Sequence, residues 1–337
     1  MNLIEATILL TFLLLGPLLI APVGRNLELY CLSLGMAGVT AGAQWEWELA
    51  KHAATAPLMI TLAVLAAGLL FEYGRTPLDR AFARMRAVMP RPLLTALSIF
   101  VIATLSSVIT AIVAALVLVE ALGLLQVAGE NRTRVAVAGC FAIGLGAALT
   151  PIGEPLATLV AGSLQLGFFG LFRMLGPWVM PGVVGVSALA GFFARGDYDL
   201  AASEIHVRES KWELLFESAK VYGFIAGLVL ISEAYAPLAA RYLPLFGDDA
   251  LFWANTISAA LDNATLVALE VHHMSAGRAM DVLLSLLVSG GILIPGNIPN
   301  IVSAGALRIK SAEWARIGIP LGLAMLGIYF AVLRLAF

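Results

Sequence analysis

Ten long apolar runs follow one another along the 337-residue chain, and only short polar stretches separate them. The residues are 61% hydrophobic and 12% charged, with a mean hydropathy of +0.94. A soluble protein carries roughly 25% charged residues, so this chain has too little polar surface for a water-soluble globule. Because about 20 apolar residues cross the hydrocarbon core of a bilayer, the sequence predicts an all-α polytopic membrane protein with about eight full spans.

Two of the runs have a polar interruption near their middle. Run 93–125 is about 33 residues long, which is too long for one ordinary span, and run 250–274 is divided in the same way. Each half has roughly 11–15 residues, or about 16–22 Å of helix, which reaches just past the midplane of the bilayer. We therefore predict two re-entrant helical hairpins with polar tips. The tip residues are Ser106, Ser107 and Thr110 in the first run and Asp262, Asn263 and Thr265 in the second.

Two further runs, 134–165 and 279–308, contain closely spaced proline and glycine residues. Proline removes a backbone donor and clashes with the preceding turn, so we expect each of these helices to unwind at its centre. Unwound backbone at membrane depth is stable only where protein or a water-filled cavity satisfies its polar groups. The polar residues in the predicted breaks are Thr150 and Glu154 in the first and Asn297 and Asn300 in the second.

The hairpin and the broken helix occur twice in the same order, which indicates an internal repeat. Gly146 and Pro151 match Gly290 and Pro295 at an offset of 144 residues. Chance similarity between apolar helices is the alternative explanation. The predicted divisions are N-terminal spans on the scaffold or dimer side at 1–53, a first repeat at 54–194, a cytoplasmic loop at 195–212 and a second repeat at 213–337.

The basic residues distinguish the two sides of the predicted topology. With three spans, a hairpin, three spans, a second hairpin and two spans, one side holds 14 of the 20 Lys and Arg residues and the other holds four. The positive-inside rule makes the richer side cytoplasmic, so both termini face outside and the hairpins enter from opposite sides. We therefore expect inverted repeats in the inner membrane of a prokaryote. The arginine run 75–91 predicts an interfacial amphipathic segment that anchors this topology.

Asp262 carries the clearest functional signal, because a carboxylate at bilayer depth costs several kcal/mol. It predicts a ligand for a Na⁺-like cation or a proton acceptor, although Asp is also a good N-cap for the second hairpin arm. Glu154 has two similar interpretations: a cation ligand or titrating group, or an acceptor for N–H groups of the broken helix. Neutral oxygens of the remaining tip and break residues suit hard cations. No Lys or Arg lies in a tip or a break, which is unfavourable for an anionic substrate.

Inverted repeats with broken helices are typical of secondary transporters. We find no GxSxG, HExxH, P-loop or intramembrane Ser–Lys pattern, so we expect neither an enzyme nor an ATP-driven pump, and no cofactor. An intramembrane enzyme or an assembly subunit is the least favoured alternative. The expected partners are the lipid bilayer and small inorganic ions. A nucleic-acid partner is not expected, because no segment offers a basic face for one.

Three segments resemble a bacterial and archaeal family of cation transporters named domain of unknown function 1646. They are CFAIGLGAALTPIGEPLATL (140–159), SAALDNATLVALE (258–270) and GGILIPGNIPNIVSAGAL (290–307). The arrangement is more distantly similar to the ion transporter superfamily, which includes NhaD-type Na⁺/H⁺ antiporters, arsenite permeases and divalent-anion/Na⁺ symporters. The resemblance implies a scaffold region, a transport region with two hairpins, and a homodimer. It also implies that the tips and the unwound loops bind Na⁺ and substrate.

The two tips depart from the symporters of that superfamily, which carry Ser-Asn-Thr at both tips. Here they read Ser-Val-Ile-Thr and Asp-Asn-Ala-Thr, which favours cation exchange. We expect a Na⁺/H⁺ antiporter in which Asp262, together with Glu154, binds Na⁺ and H⁺ in competition. The alternative is a Na⁺-coupled symporter of a small anion or oxyanion, in which Asp262 holds only the Na⁺.

Overall fold

The computed structural model describes residues 5, 7–9, 11–12, 26–127, 129–195, 211–242, 245–259, 263, 266–267 and 276–336. These residues form helices and no β-strand, which confirms the predicted all-α class. Four helices among them are long and apolar enough to cross a membrane: Arg91–Ile109, Gly170–Phe193, Ser218–Leu238 and Ser311–Ala336. Such helices indicate a membrane-embedded protein. The total of about eight spans stays a prediction.

The α-helices of the described residues are α1 (Leu27–Ala41), α2 (Trp47–Val88), α3 (Arg91–Ile109), α4 (Ala111–Leu124), α5 (Gly129–Ala147), α6 (Pro155–Ser163), α7 (Gly170–Phe193), α8 (Lys211–Tyr242), α9 (Asp248–Ala254), α10 (Ala276–Gly290), α11 (Ile298–Leu307) and α12 (Ser311–Ala336). Short 3-10 helices cover Asn255–Ala259 and Ile294–Gly296.

Helices α1, α2 and α8 form the first of two bundles. A Cβ at Gly35 of α1 would lie 2.6 Å from the carbonyl oxygen of Gly227 of α8. The two backbones therefore touch, as small residues allow in membrane helices. The hydroxyl of Tyr222 in α8 donates to the carbonyl of Ala54 in α2 at 2.7 Å. Helix α2 has 42 residues and runs through both the predicted boundary at 53/54 and most of the arginine run.

The second bundle surrounds α5. Every residue of α5 from Val135 to Ala147 is buried. Helices α3, α4, α7, α10 and α12 pack around it and share one apolar core, to which Phe141, Leu145 and Trp314 contribute. A helix segment that is apolar or small on all sides belongs in the centre of a bundle rather than on its surface.

Helices α3 and α4 form a hairpin on either side of Thr110. The side chain of Arg91, at the start of α3, donates to the side-chain carbonyl of Gln126, just after α4, at 3.4 Å. The open ends therefore lie together, and the helices run antiparallel. Ser106 and Ser107 were predicted in the interruption but lie in the last turns of α3, where their hydroxyls donate to carbonyls three residues earlier. Helix α3 has 19 residues, more than the roughly 11–15 predicted for an arm.

The second predicted hairpin begins with α9 and the 3-10 helix that follows it. Arg334 of α12 pairs with Asp249 of α9 at 2.6 Å and with Asp281 of α10 at 2.8 Å. These ion pairs fix the first arm of the hairpin to two neighbouring helices. Beyond this arm only residues 263, 266 and 267 are described, so Asp262 and Thr265 lie outside the described residues.

Both predicted helix breaks are confirmed. Helix α5 ends at Ala147 and α6 begins at Pro155, whereas α10 ends at Gly290 and α11 begins at Ile298. Proline occupies one of the first two positions of both α6 and α11. It suits the first turn because the N–H that it lacks has no helical partner there.

Helices α4 and α11 join the two bundles. Each contributes an isoleucine to an apolar cluster with α1 and α8. The buried members of this cluster are Cys31, Ile112, Phe224, Ile225, Ile231 and Ile298. The helices that follow the first tip and the second break therefore face the first bundle.

Candidate functional site

The tip of the first hairpin (106–110, tip 1) packs on the first helix break (148–154, break 1). The N–H of Ala111, at the start of α4, donates to the carbonyl of Gly153 at 2.8 Å. The hydroxyl of Thr150 donates to the carbonyl of Ser107. Polar backbone groups at helix ends lack partners in their own helix. Tip 1 and break 1 therefore satisfy each other inside an apolar bundle.

A glycine permits this close packing of α3 on α5. A Cβ at Gly146 would overlap the carbonyl group of Ala103. Beside it, the hydroxyl of Ser106 donates to the carbonyl of Ala103 at 2.6 Å and lies 3.2 Å from the carbonyl oxygen of Ile143. Ser106 is fully buried, so its hydroxyl joins the end of α3 to the backbone of α5.

Asn300 stabilises the second break (291–297, break 2). Its side-chain nitrogen donates to the carbonyls of Gly290 at 2.7 Å and Leu293 at 2.8 Å. Asn300 is fully buried, and its Oδ1 has no hydrogen-bond partner among the described residues. The same side chain thus satisfies two unwound carbonyls and presents a neutral oxygen that a hard cation can use.

The two breaks share one backbone arrangement. A Cβ at Gly153 would overlap the carbonyl group of Ala147, the last residue of α5. A Cβ at Gly296 would lie 2.6 Å from the carbonyl oxygen of Gly290, the last residue of α10. In both breaks a glycine six residues beyond the helix end turns back onto it. Gly153 and Gly296 are 143 residues apart in the chain. This is one residue fewer than the offset of 144 at which Gly146 and Pro151 match Gly290 and Pro295.

Glu154 and Asn297 occupy equivalent positions in this arrangement. Each follows the packed glycine, has extended backbone and immediately precedes the next helix. Their exposed fractions are 5% and 4%. Neither side chain makes a capping hydrogen bond with the helix that follows it. A carboxyl group and an amide group therefore lie at matching buried positions.

Break 2 lies against the C-terminal half of α5, from which break 1 continues. The side-chain nitrogen of Asn297 lies 2.9 Å from the position that a Cβ on Gly144 would occupy. The thiol of Cys140 donates to the hydroxyl of Ser303 at 3.3 Å and lies 3.6 Å from the carbonyl oxygen of Pro299. Both breaks are thus attached to one buried helix.

The predicted second hairpin approaches break 2 in its described residues, which are the end of its first arm and Asn263 of its tip. A Cβ at Gly296 would lie 2.8 Å from the carbonyl oxygens of Ser258 and Ala259. The side-chain nitrogen of Asn263 lies 3.2 Å from the corresponding position on Gly290. Asn263 is 2% exposed, and this nitrogen has no hydrogen-bond partner among the described residues. The first arm of the second hairpin therefore meets break 2 as tip 1 meets break 1.

Most predicted site residues are buried in these two contacts. The buried ones are Ser106, Ser107, Thr150, Glu154, Asn263, Asn297 and Asn300. Thr110 is partly buried, and its side chain accepts a hydrogen bond from the N–H of Val113 at 3.5 Å. Asp262 and Thr265 lie outside the described residues. The site role of the whole predicted set stays a prediction.

The sequence interpretation missed a polar group beside break 2. The side-chain nitrogen of Asn255 donates to the hydroxyl of Ser285 at 2.9 Å, and both residues are buried. The hydroxyls of Ser258 and Ser289 are also buried, with no partner among the described residues. A signal existed for Ser258, because it aligns with Ser106 at an offset of 152 residues in the repeat.

The chain belongs to the family described as protein of unknown function DUF1646, whose family model matches residues 3–336. This membership confirms the family resemblance that the tip and break segments predicted. No curated protein matches the chain. The wider relation to the ion transporter superfamily stays a prediction.

Proposed function

We propose that this member of the DUF1646 family is a secondary active transporter that exchanges a Na⁺-like cation for protons. The observation that carries the proposal is the equivalence of Glu154 and Asn297 at two buried helix breaks. A bare carboxylate is costly at such a position, and binding of a cation or a proton lowers that cost. Cation and proton therefore compete for the carboxyl group.

The chemistry around the breaks favours a cation with a hard, oxygen-based coordination shell. Asn300 supplies a buried amide oxygen without a described partner, and unwound carbonyls lie nearby. No Lys or Arg belongs to either tip or either break. We assign cation binding to the full set of tip and break oxygens, namely Ser106, Ser107, Thr110, Thr150, Glu154, Asp262, Asn263, Thr265, Asn297 and Asn300. Asp262 and Glu154 are the proposed coupling carboxylates.

Exchange follows if the empty, charged carboxylates cannot cross the membrane barrier. The bundle around α5 then moves against α1, α2 and α8 only when it carries a cation or a proton. In this proposal the hairpins are re-entrant and enter from opposite sides. The order of the described elements supports the repeat: a long helix, at least the first arm of a predicted hairpin, a broken helix and a final helix occur once from α2 to α7 and again from α8 to α12. Inverted repeats of this kind are used for alternating access.

A Na⁺-coupled symporter of a small anion or oxyanion is the second candidate. Helices α6 and α11 begin directly after the breaks, and neither has a side-chain cap. Helix N-termini attract anions through their N–H groups and dipole. The symporter predicts that transport requires an anion, whereas the antiporter requires only cation and proton.

The test is proton movement in proteoliposomes that contain a pH-sensitive dye. Na⁺, Li⁺, K⁺ or Ca²⁺ is added to wild type, to Asp262→Asn and to Glu154→Gln. Glu130→Gln is the matched control, because Glu130 is an exposed glutamate that pairs with Arg134. We expect cation-driven proton movement in wild type and in the control, and its loss in Asp262→Asn or Glu154→Gln.

Absence of proton movement with every cation would contradict the antiporter. Uptake of a labelled anion that depends on Na⁺ would then support the symporter.

A further inference from the structure

The depth of the membrane surface near the first hairpin can be located from α3. Its exposed apolar residues recur every three or four positions from the first turn of the helix onward. They are Leu93, Leu97, Val101, Leu105 and Val108. Large apolar side chains along one face of a membrane helix contact lipid tails. Hydrocarbon contact therefore begins within two residues of Arg91, where α3 starts.

This depth also fixes the end of α2. Helix α2 ends at Val88, and Met89 and Pro90 are all that separate it from α3. Its 42 residues correspond to about 63 Å, roughly twice the thickness of the hydrocarbon core. Because α3 returns directly into the apolar region, the end of α2 at Val88 lies at headgroup depth, and Arg84 and Arg80 lie within about 12 Å of that end along the helix. They do not project far into the aqueous phase.

The side chains at this end combine positive charge with exposed apolar surface. Arg80 and Arg84 are one helical turn apart and exposed. Neither has an acidic partner within 4 Å in the part of the chain that the structure describes. Met85 is 40% exposed and Val88 is 84% exposed. Positive and apolar groups side by side at headgroup depth fit a lipid surface better than water.

We infer that this surface, formed by Arg80, Arg84, Met85 and Val88, binds anionic phospholipid. The guanidinium groups take the headgroup phosphates, since Arg forms paired hydrogen bonds with phosphate. The apolar side chains contact the glycerol and upper acyl region. The sequence strengthens the charge argument, because residues 75–91 contain five arginines and one acidic residue.

Bound lipid would also be adjacent to the first hairpin. Arg91 closes the open end of that hairpin by its hydrogen bond to Gln126, and it follows Arg84 of this surface by seven residues. The inference rests on membrane embedding and on the described surface. It does not depend on the proposed exchange of cation and proton.

The test uses full-length protein in mixed micelles that contain equal parts of phosphatidylglycerol and phosphatidylcholine. Native mass spectrometry counts the lipids that the protein retains. We expect wild type to prefer phosphatidylglycerol, and we expect Arg80→Gln/Arg84→Gln to reduce that preference on the order of tenfold. Arg80→Lys/Arg84→Lys should keep most of it.

Two controls separate this surface from general positive charge. Arg316→Gln and Arg241→Gln each remove one exposed arginine elsewhere, and both should retain the wild-type lipid ratio. Thermal unfolding in pure phosphatidylcholine should be equal for all variants, so that a lipid effect is not a folding effect. An unchanged ratio in Arg80→Gln/Arg84→Gln, or an equal loss in the controls, would overturn the inference. Displacement of the lipid by millimolar inorganic phosphate would indicate a free-phosphate site instead.

Discussion

Thr110 holds a backbone conformation that normally requires glycine. Its φ is 75° and its ψ is 151°, a region in which a β-branched residue costs on the order of 1–3 kcal/mol. The surrounding contacts enforce this geometry, because the N–H of the next residue, Ala111, donates a hydrogen bond to the carbonyl of Gly153. A role of the Thr110 hydroxyl in the proposed cation site would explain why a strained threonine stands here in place of glycine.

Thr110→Gly is therefore expected to stabilise the protein while reducing transport. Glycine removes the backbone strain and loses only a weak cap, so the net gain is about 1 kcal/mol. Thr110→Ala keeps the strain, loses the cap and should be less stable than wild type. Thermal unfolding in detergent and initial transport rates measure the two effects. A Thr110→Gly protein that is less stable than wild type would show that the strain assignment is wrong.

Asn300 and Asn297 should respond differently to truncation. Asn300→Ala leaves the carbonyls of Gly290 and Leu293 without their donor, so we expect a loss of about 2 kcal/mol or more in unfolding free energy. Asn297→Ala removes no capping hydrogen bond and should cost less than about 1 kcal/mol, with the main effect on cation affinity. Unfolding curves and cation binding on both variants test this contrast, which equal destabilisation would contradict.

At the scale of elements, the proline-rich breaks were predictable and the helix ends elsewhere were not. Pro155 and Pro299 mark helix starts by local chemistry, which a sequence shows directly. The start of the arginine run does not end α2, because arginine is a good helix former and a change of polarity is not a helix stop. Ser106 and Ser107 likewise lie within a helix, because carbonyls of the preceding turn accept hydrogen bonds from their hydroxyls and satisfy these polar groups. A polar interruption therefore locates a hairpin but not the residue at which the chain turns.

Close packing between helices makes Gly146 a sensitive position in the hairpin contact. A Cβ in Gly146→Ala would overlap the backbone of Ala103, so α3 and α5 must separate. We expect a loss of roughly 3 kcal/mol or failure to fold. Gly185→Ala in α7 is the control, since no atom lies within 4 Å of its Cβ position, and it should be neutral or slightly stabilising. The measurement is the melting temperature of Gly146→Ala and of Gly185→Ala. Equal melting temperatures for the two variants would contradict the packing argument.

At the scale of the whole molecule, the order of the helices along the chain did not predict which helices form each bundle. The predicted scaffold segment 1–53 contains α1, but α1 packs with α8, which is distant in sequence. The close contact of Gly35 with Gly227 decides this arrangement, and such pairings depend on three-dimensional fit. The approach of both breaks to α5 also required the structure, which places the side chain of Asn297 against Gly144.

The most direct test of ion and proton competition is the pH dependence of Na⁺ binding to the purified protein. One proton that competes with one Na⁺ for a buried carboxyl group raises the apparent Kd for Na⁺ about tenfold per pH unit below the pKa of that group. Calorimetric titration from neutral to acidic pH should show this slope in wild type and in Glu130→Gln, and Glu154→Gln or Asp262→Asn should flatten it. Wild-type protein that binds Na⁺ with a Kd independent of pH would contradict the account.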